Sequence, residues 1–437
     1  MKVCLIYVGV GVSGFCANRP PGDRESSWIG HGIASIGAST KAAGHDVTLI
    51  DLRQLGGPDD LTATIAAAEA DVFGLSISPA DSKMAPMIAR IVRHFHPQSK
   101  IIVGGINPSI FPERYDVPEI DTVVVGEGEV TFPDLVCRHE FGEPLPKVVR
   151  GEKPDLDRIP WVDRELFDYS RETECSLAPI QKTPSVTMIA GRGCPYRCLF
   201  CQPAENAVFG NPHRMRSPEN VVAELRMLKD KYDFKSVTFW DDTFTFNKKW
   251  VMEFCGLYEK ENFGATIAAC SRADIICRNE AMVERLAAIG VDWFVIGFES
   301  GSQRMLDFLK KGTTVEQNIE AGRICRKHGI KIFATFMMGL PTETKLEALS
   351  TAMMIDRIAP EFPSMFFFSP MEGTDIYTYC KDNNLLLEDD GMRLPSRTGV
   401  YEPSIKGIDY EYLNKMRSKE GFEARQLLRR GAEARIQ

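Results

Sequence analysis

The chain has 437 residues, a formal net charge of −8 and 44% hydrophobic residues, a size and composition that call for two or three globular domains. The acidic balance excludes an overall basic field that would recruit nucleic acid or an anionic membrane, and no run of about 18 uncharged apolar residues marks a membrane span. Twelve cysteines are scattered apart from one tight triplet; without a secretion signal this favours free thiols in a reducing cytoplasm over a disulfide framework.

The N-terminal Met1-Lys2-Val3-Cys4-Leu5-Ile6-Tyr7-Val8 combines a lysine with a short apolar run, as a signal peptide does. It lacks a small-residue cleavage site and runs into a glycine turn, so it reads as a buried first strand. Strands are then expected at Val3–Val8, Asp46–Asp51, Asp71–Ser76, Lys100–Val103 and Asp121–Val125, with helices such as Ile33–Ala43 and Ala85–Phe95 between them. Continuous apolar strands are buried on both faces, which predicts a parallel, Rossmann-like (flavodoxin-like) sheet over residues 1–137. Such sheets bind ligands at the carboxyl ends of their strands.

Pro144, Pro146, Pro154, Pro160, Pro179 and Pro184 interrupt residues 138–184, which read as a linker. A second strand–helix series follows. Its strands are expected at Val186–Ala190, Ser236–Trp240, Thr266–Cys270, Trp293–Phe298, Lys331–Met337 and Met365–Ser369, separated by helices such as Pro218–Tyr232, Asn279–Ile289 and Val315–His328. Six such units over residues 185–370 suit a partial (β/α)6 barrel with its chemistry on the loops after the strands. The remainder, 371–437, is a short C-terminal segment with a charge-rich helix over Asp409–Arg435.

The strongest chemical signal is Gly193-Cys194-Pro195-Tyr196-Arg197-Cys198-Leu199-Phe200-Cys201. Three thiolates follow directly on a predicted strand, and thiolates are soft ligands for iron–sulfur clusters or zinc. Structural zinc takes four ligands, yet no fourth cysteine or histidine follows at short spacing; His213 is the nearest histidine. A zinc site completed by a distant residue is the alternative. A cubane on three cysteines keeps one iron open to a substrate.

The triplet resembles the CxxxCxxC signature of the radical S-adenosylmethionine (SAM) superfamily, with the usual aromatic, Phe200, before the last cysteine. The resemblance implies a [4Fe-4S] cluster on Cys194, Cys198 and Cys201. SAM would chelate its open iron, and one electron would split the sulfonium to a 5′-deoxyadenosyl radical. Later segments resemble the family in the same order. Phe239-Trp240-Asp241-Asp242-Thr243-Phe244 implies Asp241 and Asp242 against the SAM ammonium or the substrate. Ser271-Arg272-Ala273-Asp274 implies Arg272 on the SAM carboxylate. Gly297-Phe298-Glu299-Ser300-Gly301 implies Glu299 and Ser300 near the ribose. Gly339-Leu340-Pro341-Thr342-Glu343-Thr344 resembles the GxPxET turn at the adenine end, and Pro370-Met371-Glu372-Gly373-Thr374 the PxxGT stretch.

In the N-terminal domain, Ser76 and Ser78 end the third strand, Gly104-Gly105 the fourth and Gly126-Glu127-Gly128-Glu129 the fifth. Glycines there let backbone approach a bulky ligand. With Gly44-His45-Asp46-Val47, these elements resemble the cobalamin-binding subgroup of radical SAM proteins, which implies cobalamin against Ser76, Ser78, Gly104, Gly105, Gly126 and Glu127. The alternative is an α/β module that has lost its ligand. The loop Gly9–Pro21 has no histidine, which departs from the DxHxxG corrinoid carriers. Cobalt would then be five-coordinate, water-bound, or met by another side chain of that loop. His31 reads as a loop or core histidine. Gly9-Val10-Gly11-Val12-Ser13-Gly14 matches GxGxxG literally, but Pro20-Pro21 follow in place of a clean helix, which argues against a dinucleotide.

Together the resemblances imply a cobalamin-dependent radical SAM methyltransferase acting on an unactivated carbon. Methylcobalamin formed from one SAM would meet a substrate radical made by a second, and a ferredoxin- or flavodoxin-type reductant would supply electrons. The compact length is similar to that of the methyltransferases that modify a glutamine of methyl-coenzyme M reductase, which implies a protein substrate; a small-molecule substrate stays open. A cobalamin-using cyclase or rearrangement enzyme would share every motif. A methylthiotransferase would need a second early triplet, where only Cys4 and Cys16 stand. The non-enzymatic alternative is an iron–sulfur electron carrier or a corrinoid-binding sensor.

Overall fold

A computed structural model describes residues 1–9, 29–174, 180–201, 204–210, 213–387 and 403–418. The chain forms two compact units: residues 1–195 with 203–236, and residues 196–202 with 237–437. Compactness thus groups segment 138–184, and the first strand and helix of the expected barrel, with the first unit.

The first unit is built on a sheet of β1 (Lys2–Tyr7), β2 (Asp46–Asp51), β3 (Val72–Ser76), β4 (Lys100–Gly104), β5 (Thr122–Val125) and β6 (Val148–Arg150). Its order is β2-β1-β3-β4-β5-β6, and every pairing is parallel. The first five strands lie where the apolar runs predict them. Their side chains, Ile6, Phe73, Ile101, Val103 and Val123 among them, form a buried core with Ile88, Ala89 and Val92 of the helix Met84–Phe95. The sixth strand, β6, falls inside the expected linker. It is three residues long and half-exposed at Val148 (49%), so it has no hydrophobic periodicity to betray it; backbone pairing with β5 alone defines it. The unit also holds β7 (Ser185–Met188), the two-stranded antiparallel pair of β8 (Gly191–Arg192) and β9 (Arg214–Met215), and the helix Pro218–Tyr232. That helix starts where Ser217 accepts from the Asn220 N–H, with proline in its first turn, and ends at left-handed Asp233, the local grammar of a helix with firm ends.

The second unit carries β10 (Ser236–Phe239), β11 (Thr266–Ser271), β12 (Val291–Glu299), β13 (Lys331–Met338) and β14 (Phe362–Phe367). They lie side by side in that order, and β11 through β14 run parallel. With β7, all six strands of the expected barrel series are present, each within a few residues of its predicted bounds. The helices Val315–Lys327 and Lys345–Ile358 both open with a capping box, Thr314 with Gln317 and Thr344 with Glu347, in which each side chain satisfies the other's free backbone N–H. The C-terminal helix is observed over Tyr410–Arg417, capped by Asp409 and Ser418; residues 419–435 of the expected Asp409–Arg435 helix, and the loop from residue 10 to Pro21, lie outside the described residues. Among the described residues no helix is long and apolar enough to cross a membrane.

One buried ion cluster braces the first unit. Arg164 and Glu224 have 3% and 1% side-chain exposure and are paired, and Arg216 reaches Glu224 at 2.6 Å. Burial works against the Glu224 carboxylate, but Arg164 and Arg216 more than offset it and hold it below the usual carboxylate range. A group lowered in the folded state stabilises fully above its unfolded pKa and loses that contribution as pH falls through the folded one. Glu224→Ala should therefore cost about 3–5 kcal/mol at pH 7, because two buried cations lose their partner. Urea unfolding should show this gap narrowing below about pH 4; a constant gap would refute the assignment.

Candidate functional site

Parallel pairing gathers the carboxyl ends of β1, β3, β4 and β5 at one edge, and there the first unit encloses a cavity of about 480 Å³. In the order β2-β1-β3, the reversal beside β1 is the switch point where open α/β sheets take ligands. Ser76, Ser78, Gly104, Gly105, Gly126 and Glu127 all line this one cavity, so the structure brings together the six residues expected to meet cobalamin. The glycines have local reasons. Gly105 has φ +103°, and a Cβ there would meet the Ile77 backbone O at 2.8 Å and N at 2.9 Å; Gly126 has φ +97°. A wall of bare main chain admits a broad ligand that side chains would keep away. The Ser78 hydroxyl donates to Asp81 at 2.6 Å.

Glu127 plays a different part. It is 3% exposed and accepts from both Arg192 and Arg214, while Glu129 accepts from Arg192. Its carboxylate anchors the β5 loop to the β8–β9 pair. Glu129 closes the Gly126–Glu129 stretch read from sequence, whereas Arg192 and Arg214 belong to no motif; the one available signal is that Arg192 stands two residues before the first cysteine of the triplet. His31 is a half-buried histidine at the start of the helix His31–Ala42. Its Nε2 lies 2.9 Å from the Thr187 hydroxyl, and burial, reinforced by Arg164, lowers its pKa to about 3.

The second unit holds Cys198 and Cys201, and Cys194 belongs to the first. Cys198 is buried, while Cys194 and Cys201 are half-buried. Backbone bonds tie the loop down: the Leu199 N–H donates to Leu309 O at 2.9 Å, and the Ile376 N–H to Leu199 O at 3.1 Å. Phe200 packs on a cluster that includes Met305, Leu309, Leu340 and Phe368. Burial pushes Cys4 up to about 11 and Cys255, Cys325 and Cys380 to about 12, so these stay protonated and serve as small apolar residues. Among the described residues no three His, Cys, Asp or Glu side chains gather about one ion position. A cluster does not ask for that, since its thiolates sit on separate iron corners, and three soft thiolates are the donor set that suits it.

Arg272 follows β11 and reaches the loop. Its Nη1 lies 3.9 Å from Cys198 Sγ, and its Nη2 donates to Lys311 O at 2.6 Å. The Lys311 ammonium donates to Glu299 at 2.9 Å and lies 5.8 Å from the Phe200 ring centre. Glu299 is held in place by its strand. The β12 register slips between Gly297 and Glu299, Glu299 takes φ +65°, and a Cβ at Gly297 would strike the Glu299 carboxylate. Lys311 belongs to no motif read from sequence. Ser300 is fully buried, accepts from the Ser302 N–H and lies 3.2 Å from the Thr351 hydroxyl, contacts that shape the loop. Asp241 is buried (2%) and Asp242 exposed at the end of β10.

The Gly339–Thr344 turn closes on itself. Glu343 Oε2 accepts from the Gly339 N–H at 2.6 Å and the Leu340 N–H at 3.3 Å, Thr342 has φ +67°, and Thr344 caps the next helix. Acid and threonine in this motif therefore build the turn itself.

The Radical SAM superfamily matches residues 188–355, and the B12 binding domain family matches residues 22–136. An uncharacterized methyltransferase of Pyrococcus horikoshii is 30% identical over 378 residues, which cover 82% of this chain and 79% of that protein. An anaerobic magnesium-protoporphyrin IX monomethyl ester cyclase of Rubrivivax gelatinosus is 28% identical over 403 residues, covering 86% and 69%. Among solved structures, the cobalamin-dependent SAM radical enzyme OxsB, seen with aqua-cobalamin and SAM, has a TM-score of 0.70 at 18% identity, covering 94% of this chain; this chain spans 65% of OxsB. The radical SAM methyltransferase TsrM of Kitasatospora setae, seen with cobalamin and a [4Fe-4S] cluster, has a TM-score of 0.67 at 15% identity, covering 96% and 86%. At these identities both structures speak for the fold.

Glu343 supplies a test of the turn. Burial raises its pKa to about 7, against the two N–H bonds that lower it. An acid raised on folding stabilises fully below its unfolded pKa near 4.5 and loses that contribution as pH rises through about 7. Wild-type stability should fall by at most about 3 kcal/mol between pH 4.5 and 8 through this group. Glu343→Gln should remove that slope; urea midpoints across the range decide it.

Proposed function

The chain belongs to the radical SAM superfamily and carries a B12-binding domain in the same polypeptide, and from that premise we propose that it methylates an unactivated carbon. It is an enzyme of the cobalamin-dependent radical SAM methyltransferase family, with a [4Fe-4S] cluster, SAM and cobalamin as cofactors. Bound together, these groups supply reductive SAM cleavage and methyl transfer. One observation carries the proposal: a glycine-walled cavity at the switch point of the first unit, in a chain that also bears the thiol triplet.

In this proposal residues 1–137 form the cobalamin domain, 138–184 the linker, 185–370 the radical SAM domain and 371–437 the C-terminal segment. Cys194, Cys198 and Cys201 would hold the cluster, with Phe200 against the bound SAM and Arg272 toward its carboxylate. Asp241 and Asp242 face the SAM ammonium or the substrate, and Glu299, fixed by Lys311, accepts the ribose hydroxyls. Ser300 keeps that loop in shape. In the first unit Gly104, Gly105 and Gly126 let cobalamin lie against main chain, and Ser76 and Ser78 offer it hydroxyls. Glu127, clamped by Arg192 and Arg214, holds the loop that bounds it. A ferredoxin- or flavodoxin-type protein delivers the electrons. The finer part of the proposal is an acceptor on a protein, such as glutamine of methyl-coenzyme M reductase. The similarity to the cyclase of Rubrivivax gelatinosus favours ring closure as the second reading.

Anaerobic reconstitution with cobalamin, a strong reductant and CD₃-labelled SAM separates these. The methyltransferase reading expects cobalamin uptake, 5′-deoxyadenosine and a CD₃-bearing product when extract or peptide acceptors are supplied. Uptake with 5′-deoxyadenosine and an unlabelled cyclised product would favour ring closure, and 5′-deoxyadenosine without cobalamin uptake would sink both. The triple change of Cys194, Cys198 and Cys201 to alanine should abolish cluster absorbance and SAM cleavage. Gly105→Ala should weaken cobalamin retention by roughly tenfold or more, through the clash with Ile77 and the strained φ, while iron content stays at the wild-type level.

A further inference from the structure

Arg272 is held by several partners within its own unit. Its side chain is 6% exposed. A guanidinium offers five N–H donors in a rigid fork, and here Nε donates to Asp274 at 3.0 Å, Nη2 to Lys311 O at 2.6 Å, and Nη1 faces Cys198 Sγ at 3.9 Å. The fork lies over Tyr196, its central carbon 3.4 Å from the ring centre, two residues before Cys198. The Tyr196 hydroxyl is 3.3 Å from Asp274, so one carboxylate secures both the ring and the fork. The backbone cooperates: Arg272 is extended, with φ −127° and ψ 146°, just before the helix Ala273–Arg278.

The charges do not cancel. Asp274 also accepts from Arg278 at 2.6 Å, so one carboxylate serves two guanidiniums, and Arg272, Arg278 and Asp274 together carry one net positive charge. Lys311 is already matched by Glu299. A buried, permanently charged group therefore points an N–H at the one triplet thiol that is itself buried.

We propose that Arg272 sets the reduction potential of the cluster by donating to the Cys198 thiolate and fixing a positive charge beside it. The inference rests on the assignment of Cys198 as a cluster ligand. The step concerned is uptake of one electron from a ferredoxin- or flavodoxin-type reductant, with no bond made or broken in the protein. Reduction adds negative charge to the cluster and its thiolates. A hydrogen bond to sulfur and a nearby cation stabilise that reduced form more than the oxidised one, and the effect is strong where water is excluded. Arg272 thus moves the couple toward less negative potentials. Asp274 and Tyr196 are positioning residues that hold the fork.

The test is an EPR-monitored redox titration of the anaerobically reconstituted full chain, with iron and sulfide counted in each sample. Arg272→Met should retain the cluster and shift its midpoint negative by about 59 mV, a tenfold change in the one-electron equilibrium. Asp274→Asn, which leaves the guanidinium less compensated, should shift it positive. A fully loaded Arg272→Met protein with the wild-type midpoint would overturn the proposal. So would reduced loading in which the remaining clusters keep that midpoint, since that marks a merely structural role. If Arg272→Met holds no cluster, Arg272→Gln, which keeps N–H donors but not the charge, decides: a negative shift supports the proposal, and an unchanged midpoint or a shift the other way rejects it. A wild-type chain that assembles no cluster would instead reject the cluster assignment on which the proposed function stands.

Discussion

Parallel strand pairing is the constraint on which both units depend. When neighbouring strands run the same way, every connection must cross over through a helix, and all carboxyl ends emerge along one edge. In the first unit this places the ends of β3, β4 and β5 around a single cavity, although Ser76, Gly104 and Gly126 are far apart in sequence. In the second unit the same rule presents Arg272 after β11, Glu299 at the end of β12 and Gly339 after β13. Loops at such an edge are released from sheet geometry, so they can take left-handed turns at Gly105, Glu299 and Thr342.

Those loops need restraint, and buried charge supplies it. Glu127 is clamped by Arg192 and Arg214, Glu224 by Arg164 and Arg216, Glu299 by Lys311, and Arg272 by Asp274. A buried pair is costly to desolvate and often no more stabilising than apolar packing would be, but losing one partner is far worse. The arrangement therefore penalises displacement of either partner. Such restraint suits a radical enzyme, where a reacting atom must stay put and water must stay out.

The elements were largely legible and the side-chain partnerships were not. Strands with continuous apolar runs declared themselves, whereas β6, with three residues at an exposed edge, carried no periodicity. The five glycines and serines of the cavity were legible because they stand at the carboxyl ends of predicted strands, where a parallel sheet takes its ligands. Glu127 was legible in place but not in role, since its partners Arg192 and Arg214 lie 65 and 87 residues away. Arg272 was expected on the SAM carboxylate; the structure directs three of its N–H groups to Asp274, Lys311 O and toward Cys198. Lys311 belongs to no motif, and only the fold brings it to Glu299 and Phe200.

The sequence by itself determined the chemistry on offer: three thiols at CxxxCxxC spacing, glycines at strand ends, and two series of apolar runs that pair as parallel sheets. These are local properties, readable because ligand spacing, backbone freedom and burial on both faces each leave a short-range mark. The tertiary structure alone decided which charges meet. A guanidinium's range of contacts is a few ångströms, and the residues it will find depend on strand order, crossover length and a one-residue slip such as that at Gly297 and Glu299. Ion pairing is short in space and unconstrained in sequence, so the partners of Glu127, Glu299 and Arg272 became visible only once the chain was folded.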